Sequence, residues 1–323
     1  MRKRKWLAVG LAVCLLLAGL SGCAGQQRQL RVTLVLKTVT EVAEFWGTLL
    51  SGVEKAAAEY GVELKVLTAP REVDIDEQIE LIRQVTAEKP DVMILSASDY
   101  DRCAEATEEA IAAGIGVVAV DTDVNAVGRA CFVGSNNYEV GLEMGRAMAS
   151  YLPEGGKVAV IQHMLTTTTG IDRTRGVIDA LTKAGNIEIL GSFCCDNSTD
   201  RAQSLTKELL EQTPDISGFV CTNEVCNVGA ANALVELGMG GKVFVVGCDN
   251  SQRQIAFLEQ NIIQAIVTQR PFNMGYIAVQ QAVEVASGEK TADFVEVPCV
   301  LITRENMYTQ ENQKLLFPLT GES

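Results

Sequence analysis

The chain has 323 residues, 41 of them acidic and 27 basic, for a formal net charge of −14, and 47% are hydrophobic. An acidic surface disfavours nucleic acid and offers no polybasic membrane contact, while the length exceeds the size at which one core commonly divides into two. With one histidine and no CxxC pair among ten cysteines, a structural metal centre is not expected.

Arg2, Lys3, Arg4 and Lys5 precede an apolar run over 7–20, and small residues follow. This pattern predicts a secretory leader over 1–22; a membrane span would need roughly 20 apolar residues. Leu20-Ser21-Gly22-Cys23 resembles the lipobox of bacterial lipoproteins. That likeness implies cleavage before Cys23 and a lipid anchor on it, with residues up to 30 serving as a polar tether. Eight cysteines lie beyond Cys23, several at the ends of apolar runs, where a thiol behaves as a small hydrophobe. Their disulfide state is left open.

From residue 31 onward strand-like and helix-like segments alternate. The run 31–37 leads to a helix over 45–61, in which Phe45, Leu49, Val53, Ala56 and Tyr60 recur at helical spacing before Gly61. Strands are expected at 62–68, 91–97, 116–121 and 131–134, with helices at 75–88 and 101–113. The pattern then restarts, with helices over 138–151, 171–184, 201–212, 225–237, 252–260 and 274–287. Strands over 157–162, 187–192, 217–222, 242–249 and 262–268 fall between them, and one short strand over 295–302 comes last. Residues 303–323 could wrap back over the fold or be partly loose. Continuous apolar strands between helices predict parallel sheets covered on both faces, and two such series predict two α/β lobes.

Open parallel sheets bind ligands at the C-terminal ends of their strands. After the first strand, "KTVTEVAEFW" has no glycine and so cannot cradle phosphate; it presents Phe45 and Trp46 instead. Asp121 and Asp123 follow the fourth strand, and Asn136 and Asn137 lie where the halves join. Thr166–Thr169, Arg173 and Arg175 open a helix of the second half; Asn223 and Glu224, Asp249 and Asn250, and Gln269 and Arg270 follow its later strands. Together they describe a polar cleft suited to a neutral, hydroxyl-rich ligand. His163 reads as an ordinary strand-end histidine, and no G-x-S-x-G elbow accompanies it. Two carboxylates such as Asp121 and Asp249 are the minimum kit for glycoside cleavage, but they look better placed to bind than to cut.

From about residue 31 to 302 the sequence resembles the periplasmic sugar-binding proteins of the ribose/galactose type, the substrate-binding components of ABC importers. Phe45 and Trp46 match the family's aromatic pair, Asp121-Thr122 its Asp-Arg, Arg173 and Gly176 its R-x-x-G, and Asn223-Glu224 its Asn-Asp. Gly247-Cys248-Asp249 matches its Gly-Phe-Asp or Gly-Val-Asp, and Gln269 its last crossover amide. The family's arginine is replaced by Thr122, for which Asp123 could partly substitute. Its aromatic wall is lost at Cys248, and its asparagine before the aromatic pair is not evident. These departures leave pyranoses, polyols and nucleosides open beside pentoses.

The resemblance implies a type 1 periplasmic binding fold: two Rossmann-like three-layer lobes with parallel-sheet cores, joined by a three-strand hinge. Lobe one would comprise 31–134 and 271–296, lobe two 135–270 and 297–315, with a tail over 316–323. It also implies a monomeric, non-enzymatic solute-binding protein without cofactor or metal, exported and held at the cell membrane through Cys23. Such a protein closes on a neutral sugar or polyol through Phe45, Trp46, Asp121, Asp123, Arg173, Asn223, Asp249 and Gln269. The closed form would go to an ABC permease, or alternatively to a sensor kinase.

Overall fold

A computed structural model of the chain describes residues 28–38 and 44–317, so the leader, Cys23, most of the tether and the end of the tail lie outside the described residues. The first half runs β1 (Arg31–Leu36), α1 (Glu44–Tyr60), β2 (Glu63–Thr68), α2 (Ile75–Glu88), β3 (Val92–Leu95), α3 (Ala104–Ala112), β4 (Gly116–Val120) and β5 (Cys131–Gly134). The second continues with α4 (Asn137–Tyr151), β6 (Gly156–Gln162), α5 (Thr168–Ala184), β7 (Ile187–Cys194), α6 (Thr199–Gln212), β8 (Ile216–Cys221), α7 (Glu224–Glu236), β9 (Phe244–Cys248), α8 (Gln252–Glu259) and β10 (Ala265–Thr268). Then come α9 (Pro271–Ala286), β11 (Phe294–Glu296), β12 (Val300–Thr303) and α10 (Gln310–Leu316).

These elements build two sheets of the same plan, β11-β5-β4-β3-β1-β2 and β12-β10-β9-β8-β6-β7. Every pairing is parallel except that of β12 with β10. In each half the second strand lies on one side of the first and the third on the other, which opens a crevice at the strand ends. Both faces of each sheet are covered. Val32, Leu34 and Leu36 join the core under α1 and α9, while Val35, Met93 and Leu95 join the one under α2 and α3. This is why the strands read as unbroken apolar runs.

The chain passes between the sheets three times, at 134–137, 268–271 and 296–300. The second pass sends α9 back to the first lobe, where it packs so closely on α1 that a Cβ on Gly52 would lie 2.0 Å from the Phe272 carbonyl oxygen. The expected single strand over 295–302 is two strands in different sheets. Pro298, which has no N–H to give to a ladder, stands in the break between them. The segment after 303 wraps back over the second lobe: Thr309 caps α10, and Leu315 and Leu316 pack on that lobe's core.

Candidate ligand-binding cleft

The C-terminal ends of the two sheets face one another across a cavity. From the first lobe it is lined by Lys37 after β1, Phe45 and Trp46 in α1, Glu72 after β2 and Asp121 after β4. The second lobe supplies His163 after β6, Thr169 and Arg173 in α5, Asn197 after β7, Asn223 and Glu224 at the start of α7, Asp249 after β9 and Gln269 after β10.

Asp121 and Asp249 occupy equivalent places, each directly after the fourth strand of its lobe. Both sit in the left-handed region, with φ of 62° and 76°. Few residues besides glycine tolerate that backbone, and aspartate is one of them. Both side chains are buried, at 5% and 6% exposure. Asp249 accepts hydrogen bonds from the Gln269 amide at 2.7 Å and the Glu224 backbone N–H at 2.9 Å. Asp121 lies 3.5 Å from the Lys37 ammonium, which also pairs with Glu72 at 2.8 Å. Burial would lower the Lys37 pKa, but the Glu72 and Asp121 carboxylates reverse the effect and hold it above its usual value. Burial pushes the Asp121 carboxyl up, against the pull of Lys37 and Arg173.

Arg173 is only 2% exposed. Its Nε donates to Asn137 Oδ1 at 3.0 Å and its Nη1 to the Thr222 carbonyl at 2.9 Å, while Nη2 is buried with no partner. An unsatisfied donor on a buried guanidinium is costly, and an acceptor in the cavity would relieve it. Position 173 is fixed by helix packing: a Cβ on Gly176 would lie 2.2 Å from the Tyr138 carbonyl oxygen, so α4 and α5 meet at van der Waals contact.

Phe45 and Trp46 pack edge to face, with ring centroids 5.1 Å apart, and both border the cavity; Trp46 also joins the core. The Lys37 ammonium stands 5.2 Å from the Trp46 ring centroid. The His163 ring lies between the hydroxyls of Thr222 at 2.8 Å and Thr169 at 3.1 Å. Burial, with Lys37 and Arg173 nearby, drives its pKa well down and keeps it neutral. The Glu224 carboxyl is pushed up to about 8 by burial and then by Asp249.

The lobes touch around this cavity. Asn197 Nδ2 donates to Glu72 Oε2 at 2.8 Å, Tyr100 N to Thr166 O at 2.9 Å, and the Gln252 N–H to the Glu44 carboxylate at 3.2 Å. The enclosed volume is about 40 Å³, far below the several hundred of ordinary ligand pockets. This cavity as it stands is therefore too small for a monosaccharide.

Of the expected contact residues, Phe45, Trp46, Asp121, Arg173, Asn223, Asp249 and Gln269 border the cavity and Asp123 does not. Beyond the turn at Asp121 the chain leaves the cleft, and Arg129 holds the Asp123 carboxylate at 2.8 Å in a separate groove. Thr122 lies behind the cleft, its hydroxyl 2.9 Å from that of Ser96, and Cys248 is core. Sequence reasoning named Thr169 among the strand-end hydroxyls and missed Lys37, Glu72 and Asn197. A charged residue directly after an apolar strand was a usable signal for Lys37. Asn197 escaped because β7 runs to Cys194, two residues beyond its expected end, and Glu72 sits in a loop with no periodic signal. Among the described residues no cluster of three candidate metal ligands forms, and no helix is long and apolar enough to cross a membrane.

Residues 33–290 match the family model described as periplasmic binding protein domain. Among curated proteins, the D-allose-binding periplasmic protein of Escherichia coli is 26% identical over 84% of this chain and 91% of its own length. The D-ribose/D-allose-binding protein of Pseudomonas aeruginosa is 25% identical over 93% and 98%. Among solved structures, a sugar transporter from Clostridium phytofermentans superimposes with a TM-score of 0.79 at 30% identity, over 85% of this chain and 99% of that one. A carbohydrate transporter solute binding protein from Agrobacterium radiobacter, in complex with D-arabinose, reaches 0.86 at 23% identity over 90% and 100%, a likeness of fold.

Proposed function

This chain belongs to the periplasmic binding protein domain family, and on that premise we propose that it captures a neutral sugar or polyol between its lobes and delivers it to an ABC importer. The observation that carries the reading is the buried Arg173, whose Nη2 has no partner, at a cavity that also receives Asp121 and Asp249 from opposite lobes. A guanidinium donor and two carboxylate acceptors match the alternating demands of vicinal hydroxyls. Charge argues against an anionic ligand: Lys37 and Arg173 are outnumbered by Glu72, Asp121 and Asp249, while Glu224, with its pKa raised to about 8, is largely uncharged at neutral pH. The names of the relatives, which specify D-allose and D-ribose, point the same way. The proposed work is capture rather than bond cleavage, by a monomer that needs no cofactor.

A thermal-shift and calorimetric screen over pentoses, hexoses, polyols and nucleosides tests the reading, since a ligand bound only by the folded chain raises the melting temperature. We expect one neutral sugar or polyol to bind, and Arg173→Ala and Asp249→Asn each to weaken it by roughly 30-fold or more. Unchanged affinity in both variants would show that the ligand sits elsewhere. The leader and the Cys23 sequence further support export and lipid anchoring of the mature chain. In a host that processes lipoproteins, the wild type should sediment with membranes and the Cys23→Ser chain should not.

A further inference from the structure

Cys195 lies just beyond β7 and Cys226 in the first turn of α7, and both are fully buried. Their sulfurs stand 3.4 Å apart. A disulfide at about 2.05 Å requires them to approach by about 1.4 Å. The backbones are already fixed around this contact. The Cys195 N–H donates to the Gln162 carbonyl at 3.0 Å, and the Cys226 N–H donates to Asn223 Oδ1 at 3.0 Å.

We propose that Cys195 and Cys226 form a disulfide in an oxidising compartment, and that this bond fixes the loop carrying Asn197 to the cap of α7. Its occurrence in the cell rests on the exported reading above; its chemistry does not. Two residues beyond Cys195, Asn197 accepts from Asn223 Nδ2 at 2.9 Å and donates to Glu72 of the other lobe at 2.8 Å. Asp196 and Asn197 are both left-handed, at φ of 49° and 50°. A covalent tie next to this tight turn restrains it further.

The oxidant is a disulfide such as oxidised glutathione. Cys195 loses its proton to solvent, and its thiolate, favoured by the hydrogen bond from the Cys226 thiol, attacks one glutathione sulfur. The glutathione S–S bond breaks, releasing one glutathione thiolate and leaving a mixed disulfide. Cys226 then loses its proton to solvent and attacks the Cys195 sulfur, expelling the second thiolate. Two electrons pass from the cysteine pair to glutathione. Since both sulfurs are buried, the exchange proceeds through local opening or during folding.

To test this, the full mature chain is equilibrated in an oxidising glutathione buffer with sub-denaturing urea, alkylated in denaturant and digested without reduction. Mass spectrometry should recover the Cys195 and Cys226 peptides joined and lighter by two hydrogens. A phosphine reductant should lower the wild-type melting temperature by roughly 5–10 °C and leave that of Cys226→Ala unmoved. Recovery of both cysteines as alkylated thiols would overturn the proposal. So would a link from Cys195 to Cys194 or to Cys221, which belongs to the same core cluster, or a wild-type melting temperature indifferent to reductant. Because mapping uses the wild type, it stands whether or not the variant folds, and it needs no sugar, so it fails independently of the ligand assignment.

Discussion

Glu224 is a lining residue whose protonation couples solution pH to this fold. Its Oε2 is buried without a partner, and its pKa rises from the ordinary 4.5 to about 8. Between those values the folded chain holds a proton that the unfolded chain has released. Stability from this group is therefore present at low pH and falls as pH rises from about 4.5 to about 8. Below about pH 6.5 the buried neutral His163 contributes with the opposite sign, so we expect the ligand-free melting temperature to decline between about 6.5 and about 8, and Glu224→Gln, which keeps the shape but cannot ionise, to flatten the decline. A variant with the parent's slope would mean that the carboxylate is compensated in some other way. In the cleft the protonated acid is also a donor, which complements the acceptors Asp121 and Asp249.

At the scale of elements, glycines set how closely helices approach, and so where Arg173 sits. Adding a Cβ to Gly176 places it 2.2 Å from a backbone oxygen of α4, which can yield only if α4 and α5 part. The gain in helix propensity, about 1 kcal/mol, is smaller than the roughly 1–3 kcal/mol typical of overpacking. Gly176→Ala should thus lower the melting temperature and weaken ligand binding by displacing Arg173. Gly47 in α1 makes the control: it is exposed, and an added Cβ would have nothing within 4 Å. Gly47→Ala should raise stability by about 0.5–1 kcal/mol in chemical denaturation. Equal effects at the two sites would refute packing as the role of Gly176.

For the whole molecule, the contacts between lobes hold them together, and on the proposed reading a ligand between them would add contacts that favour the closed arrangement further. Asn197 spans the gap to Glu72, and Thr168 Oγ1 accepts from the Asp123 backbone N–H at 3.2 Å as a second contact between the lobes. Replacing both with alanine removes hydrogen bonds worth about 1 kcal/mol each. The ligand-free variant should scatter X-rays with a larger radius of gyration than the parent. Ligand should restore the parent value, with affinity reduced roughly five- to thirtyfold. A parent that is already fully open in solution, and a variant identical to it, would show that these contacts do not govern closure.

The sequence by itself determined the alternation of apolar strands and amphipathic helices, the two-lobed plan and most of the cleft's polar residues, because each follows from local periodicity and from the rule that strand ends carry ligands. Tertiary structure alone decided which of two neighbouring aspartates enters the cleft. Asp121 and Asp123 are both plausible on paper, but the left-handed turn and Arg129 assign them to different grooves. It also decided that Lys37, Glu72 and Asn197 meet across 160 residues of chain, and that Cys195 comes to rest beside Cys226. Such meetings depend on sheet order and helix approach, and no short window of sequence records them.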